Sequence, residues 1–156
     1  MKQPYFPVFL DLSRKEILVA GGGQVAERRV RSLLLFTDRI CLVAPEATKD
    51  LEKWAAEGRI VWKKRKIRAK DLEGKDLVLA ATDEADCNEQ IVKDCREKGI
   101  LVNTSHKKEL CDFLFPALAW NEKVVAGISS GGEDCHATVE ARKHIQKLLG
   151  KDGTSI

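Results

Sequence analysis

A chain of 156 residues, 44% hydrophobic and 33% charged, is long enough to bury one core without disulfides or metals and too apolar to be disordered. Its formal net charge of +3 is too small to argue for nucleic acid, and apolar runs such as Leu33-Leu34-Leu35-Phe36 are far too short to span a bilayer. Five cysteines without a Cys-x-x-Cys spacing, behind a start that lacks a signal-peptide pattern, predict reduced thiols and a cytoplasmic protein.

In chain order, Glu16-Ile17-Leu18-Val19-Ala20 is a short apolar run ending in glycines, which predicts a central parallel strand. Ala26, Val30, Leu33 and Leu34 then recur at helical spacing, with Glu27, Arg28, Arg29 and Arg31 on the polar face. Ile40-Cys41-Leu42-Val43-Ala44 predicts a second strand, stopped by Pro45. Thr48 is placed to cap a helix with the inner stripe Leu51, Trp54 and Ala55, and Gly58 ends it. Ile60-Val61-Trp62 and Leu77-Val78-Leu79-Ala80-Ala81 predict the third and fourth strands. Between them, Lys63-Lys64-Arg65-Lys66 with Arg68 and Lys70 reads either as solvated surface or as an anion-attracting face. Cys87, Ile91 and Cys95 form a further helical stripe closed by Gly99, and Ile100-Leu101-Val102 predicts the fifth strand.

Strands alternating with helices of this length predict an α/β protein, a Rossmann-type doubly wound parallel sheet over residues 1–112. From Phe113 the pattern changes. Phe113-Leu114-Phe115-Pro116-Ala117 and Val124-Val125-Ala126-Gly127-Ile128 flank Trp120-Asn121-Glu122-Lys123, which predicts an extended pair with Pro116 at an edge or bulge. A final helix is expected from about Ala137 to Leu149. Residues 113–150 would then serve dimerisation or substrate contact, and 151–156 would be a frayed tail.

Ligands of an open α/β sheet bind at the carboxyl ends of its strands. Here those ends read Gly21-Gly22-Gly23, Pro45-Glu46, Thr82-Asp83 and Asn103-Thr104-Ser105-His106, polar or glycine-rich behind apolar strands. Gly21 suits a tight turn, Gly23 the approach of a pyrophosphate to the backbone, and Ala26 close helix–sheet packing. Glu46, without an arginine directly after it, favours NAD over NADP as the ribose partner; otherwise it complements a helix dipole. The spacing of His106, Cys111, Cys135 and His136 fits no zinc pattern, so no metal site is expected. Nor does any Ser/His/Asp spacing make Ser129 or Ser130 a nucleophile.

The segments Phe9-Leu10-Asp11-Leu12, Val19-Ala20-Gly21-Gly22-Gly23-Gln24-Val25-Ala26-Glu27-Arg28, Val43-Ala44-Pro45-Glu46, Ala80-Ala81-Thr82-Asp83, Leu110-Cys111-Asp112-Phe113-Leu114-Phe115-Pro116-Ala117 and Ile128-Ser129-Ser130-Gly131-Gly132 run in order along the chain. Together they resemble the precorrin-2 dehydrogenase and ferrochelatase family, the N-terminal domain of siroheme synthases. The resemblance implies NAD-dependent oxidation of precorrin-2 to sirohydrochlorin, with Fe²⁺ as a second substrate in members that also insert iron. It implies that Gln24, Val25, Pro45 and Glu46 line the nucleotide site. The tetrapyrrole, the expected partner, would then lie near Asn103 to His106, Ser129 and Ser130. A homodimer is expected, with no nucleic acid and no membrane.

The family pattern has an aspartate where this chain has His106, lacks an equivalent of Glu133-Asp134-Cys135-His136 before its Ser-Pro, and continues into a further helical segment. His106 is read either as a substituted base, since neutral imidazole accepts a proton, or as a mark of altered activity. Asp112 is the alternative acid, or else a surface carboxylate. The second functional expectation is a non-catalytic Rossmann module that holds a tetrapyrrole or dinucleotide for a partner enzyme.

Overall fold

Short apolar runs need cover, and the computed structural model buries the three central ones, Ile17–Ala20, Ile40–Val43 and Leu77–Ala80, within a parallel sheet. Residues 5–150 are described; the expected frayed tail at 151–156 lies outside them. The strands are β1 (Ile17–Ala20), β2 (Ile40–Val43), β3 (Val61–Lys63), β4 (Leu77–Ala80) and β5 (Leu101–Thr104), in spatial order β3-β2-β1-β4-β5 and all parallel. Between them run α1 (Gln24–Leu33), α2 (Lys49–Ala56) and α3 (Ala85–Glu97). Because side chains alternate along a strand, Leu18, Ala20, Cys41, Val43, Val78, Ala80 and Val102 share one face, where they pack with Ile91, Val92 and Cys95 of α3. The alternate residues Ile17, Val19, Leu42 and Leu79 are equally buried, as are Ala26 and Val30 of α1. This is the doubly wound α/β arrangement the sequence predicts.

Boundaries moved where backbone pairing overrode composition. The fifth strand runs on through Asn103 and Thr104, which pair with Leu79 and Ala80 despite their polarity. The third begins at Val61 and reaches Lys63. Thr48 stands at the N-cap of α2, but its hydroxyl does not cap the helix.

Chain contacts divide the protein into two units, Leu10–Phe113 and a second comprising 5–9 and 114–150. In the second, β6 (Ala117–Trp120) pairs antiparallel with β7 (Val125–Ile128), and α4 (Cys135–Leu149) follows. The first strand thus starts at Ala117, where the sequence pattern had placed its end. Pro116, which lacks an N–H for a ladder, lies outside it. Asn121 shapes the turn: its Oδ1 accepts from Lys123 N at 2.9 Å and Val124 N at 2.8 Å. Gln146 of α4 accepts from Trp120 N and donates to Trp120 O at 3.1 and 2.9 Å, bonding the β6 backbone as a neighbouring strand would.

Candidate functional site: a glycine-lined cleft at the strand ends

The carboxyl ends of β1, β2, β3 and β4 open on a cleft of about 490 Å³ lined by Gly21, Gly22, Gly23, Pro45, Glu46, Thr82 and Asp83 among others. Each glycine of the turn has its own reason. At Gly21 φ is +103°, and a Cβ would stand 2.1 Å from Ala81 O. At Gly22 a Cβ would stand 2.0 Å from Glu46 O, so this glycine, whose carbonyl also accepts from Thr48 N at 3.0 Å, lets the first and second strand ends pack together. A Cβ on Gly23 meets nothing within 4 Å. Gly23 is therefore free of packing duty, and the space beside it is where a phosphate can approach.

Helix α1 starts directly after Gly23, whose carbonyl accepts from Glu27 N at 3.0 Å. The amides of Gln24, Val25 and Ala26 precede the first intrahelical bond and are the donors a helix start offers to an anion. The side chains of Gln24 and Val25 are not part of the cleft wall. Thr82 is held by Asn88, 1% exposed: Thr82 N and Oγ1 donate to Asn88 Oδ1 at 3.0 and 2.8 Å, and Asn88 Nδ2 donates to Thr82 O at 2.9 Å. The hydroxyl of Thr48 is buried at the cleft and meets no hydrogen-bond partner among the described residues.

Pattern reading did not single out Thr48, Lys66, Ile67, Glu84, Cys87 or Asn88 for this site. Spacing from the strand ends was the available signal. The basic run is largely consumed internally. Asp71, 6% exposed, accepts from Lys63 Nζ at 3.1 Å, from Arg65 at 2.6 and 2.7 Å, and from Arg68 N at 2.9 Å. The Arg65 guanidinium holds the Asp71 carboxyl well below the usual carboxylate range. Lys64 lies over the Trp62 ring. Only Lys66 of the run reaches the cleft wall, where Nζ stands 2.8 Å from Glu84 Oε1.

A second group of expected residues sits at the end of β5. Asn103 is 3% exposed, and its Nδ2 donates to Phe113 O at 2.7 Å. Neither Asn103 Oδ1 nor the buried Thr104 Oγ1 meets a partner among the described residues. His106 places Nε2 3.4 Å from Glu89 Oε1 of α3, and Lys107 forms an ion pair with the same oxygen. Lys107 first, and His106 after it, holds the Glu89 carboxyl below its ordinary value. The expected acid Asp112 is engaged in backbone pairing. Its Oδ2 accepts from Val102 N at 2.9 Å, its own N–H donates to Val102 O at 2.9 Å, and Arg96 Nε lies 3.7 Å from Oδ1.

Ser129 and Ser130 belong to the other unit and work there as turn residues. Ser129 Oγ accepts from Gly131 N at 3.1 Å, and Ser130 Oγ accepts from Asp134 N and Thr138 Oγ1, each at 3.0 Å. Asp134 caps α4 by accepting from Ala137 N at 2.8 Å.

Against known proteins, the family described as "Putative NAD(P)-binding" matches residues 8–117. The chain belongs to this family. Similar proteins include the "Probable multifunctional siroheme biosynthesis protein HemA" of Ruminiclostridium josui, 38% identical over 92% of this chain and 28% of that protein. The siroheme synthase of Nitrosococcus oceani is 34% identical over 93% of this chain and 31% of its own length. The chain thus spans less than a third of these curated relatives. Among solved structures, SirC, a precorrin-2 dehydrogenase, superposes with a TM-score of 0.82 at 25% identity, covering 94% of this chain and 71% of that one. No helix among the described residues is long and apolar enough to cross a membrane.

Proposed function

We propose that this chain catalyses the NAD-dependent oxidation of precorrin-2 to sirohydrochlorin in siroheme biosynthesis. The observation that carries the reading is the likeness to a precorrin-2 dehydrogenase along 94% of the chain. The cleft supports it, because the turn through Gly23 leaves room for a pyrophosphate beside the first amides of α1. NAD⁺, when bound, supplies the hydride acceptor.

The chain's own residues do the rest. Gly21, Gly22, Gly23 and the amides of Gln24 and Val25 hold the diphosphate, and Glu46 beside Pro45 holds the ribose hydroxyls. Thr82 and Asp83 form the opposite wall. Asn103 Oδ1, Ser129 and Ser130 offer hydrogen-bonding groups to the substrate. His106 accepts the proton that leaves as the substrate is oxidised, with Glu89 orienting the ring. Asp112 fixes β5 through Val102. A second copy of the chain is the partner expected for α4, which has no buried residue and leaves Val139 and Leu148 exposed.

The test is anaerobic incubation of the purified chain with precorrin-2 and NAD⁺, following sirohydrochlorin and NADH. NAD⁺-dependent formation of both is expected. Binding of NAD⁺ and tetrapyrrole without turnover would overturn the enzyme in favour of a non-catalytic binding module. Adding Fe²⁺ to the same mixture and following siroheme tests iron insertion separately.

A further inference from the structure

Two neighbouring strands of the sheet each lead an opposite charge to the cleft. Val43 of β2 pairs with Lys63 of β3, so Glu46 and Lys66 each stand three residues past a paired position on neighbouring strands. Both line the cleft, and so does Glu84, which follows β4. In the sheet β3 and β4 are separated by β2 and β1, so the 2.8 Å Lys66–Glu84 ion pair joins two segments of the cleft wall that leave non-neighbouring strands. Its side chains are 76% and 66% exposed, so breaking it is cheap.

Among the described residues that line the cleft, Lys66 is the one cation, set against Glu46, Asp83 and Glu84. A dinucleotide with a free ribose needs a carboxylate at its hydroxyls; one with a 2′-phosphate needs a cation there. We propose that the Lys66–Glu84 pair contributes to the choice between these cofactors. Glu84 holds the ammonium that would otherwise neutralise a 2′-phosphate, and this leaves Glu46 to repel the phosphate and bind the bare ribose. The pair therefore tilts the choice toward NAD over NADP. The inference rests on the dinucleotide reading above and deepens it.

The test is direct calorimetric titration of the full chain with NAD⁺ and with NADP⁺, for the wild type, Glu84→Gln, Lys66→Gln and the double variant. Circular dichroism checks that each is folded. Glu84→Gln should raise NADP⁺ affinity relative to NAD⁺ by about fivefold at low salt, the scale of one exposed charge pair. The gain should vanish in the double variant and shrink as salt is added. An unchanged ratio in Glu84→Gln, or a gain that survives loss of Lys66, overturns the proposal while leaving the dinucleotide site intact. Failure of the wild type to bind either nucleotide overturns the dinucleotide reading itself.

Discussion

The carboxylate of Asp71 receives both terminal nitrogens of the Arg65 guanidinium, at 2.6 and 2.7 Å, and so closes the chain on itself around the segment that carries Lys66 and Ile67 to the cleft. The Arg65–Asp71 pair thus joins a surface loop to a ligand wall.

Replacing Asp71 by Asn should lower stability by about 2 kcal/mol near neutral pH, the scale of hydrogen bonds to a charged group. The pH dependence has a definite sign. The Asp71 carboxyl titrates below its unfolded value of 3.8, so its stabilisation is present above about pH 4 and is lost as the pH falls below that. Urea unfolding at pH 6 and pH 3 should show the gap between wild type and Asp71→Asn narrowing in acid. A gap of constant size would show that the carboxylate is not the source.

The neighbouring glycines should separate folding from binding. Gly22→Ala forces a Cβ against Glu46 O and should cost about 2–3 kcal/mol of stability. Gly23→Ala adds a methyl to open space on extended backbone and should cost under about 1 kcal/mol. The same methyl should weaken NAD⁺ binding tenfold or more. Thermal melts and titration of the two variants read these effects independently.

His106→Ala should reduce turnover of precorrin-2 by roughly a hundredfold or more while NAD⁺ affinity survives, because a general base contributes on that scale. Unchanged steady-state turnover would remove His106 from the chemistry.

The thiols should react in the order of their surroundings. Burial pushes Cys95 up to about 12, so it should resist a disulfide reagent until the protein unfolds, whereas exposed Cys135 reacts first. Cys87 lines the cleft, and saturating NAD⁺ should protect it. Peptide mapping after timed labelling checks both.

The sheet was legible because β1, β2 and β4 are wholly apolar runs and β3 and β5 begin as such runs. The cleft was legible in part for the same reason: Gly21, Glu46 and Asp83 stand at the ends of such runs. Lys66 was hidden because a run of basic residues does not say which member pairs with Asp71, Trp62 or Glu84. Asn88 was hidden because a polar residue in the first turn of a helix gives no sign that it folds back onto Thr82. Asp112 looked like an acid available for proton transfer; only the fold brings its backbone and side chain against Val102.

That last contact has a consequence for the molecule in solution. β5 ends the parallel sheet, and a terminal strand offers its free backbone groups to any other extended chain. At Val102 that offer is already taken, since Asp112 satisfies both the N–H and the C=O, while the side chain of the adjacent Asn103 bonds Phe113 O. Ten residues downstream, the chain acts as its own blocking strand without adopting strand geometry. Loss of the Asp112 carboxylate should therefore announce itself first as self-association, visible by light scattering, before any change in catalysis is measured.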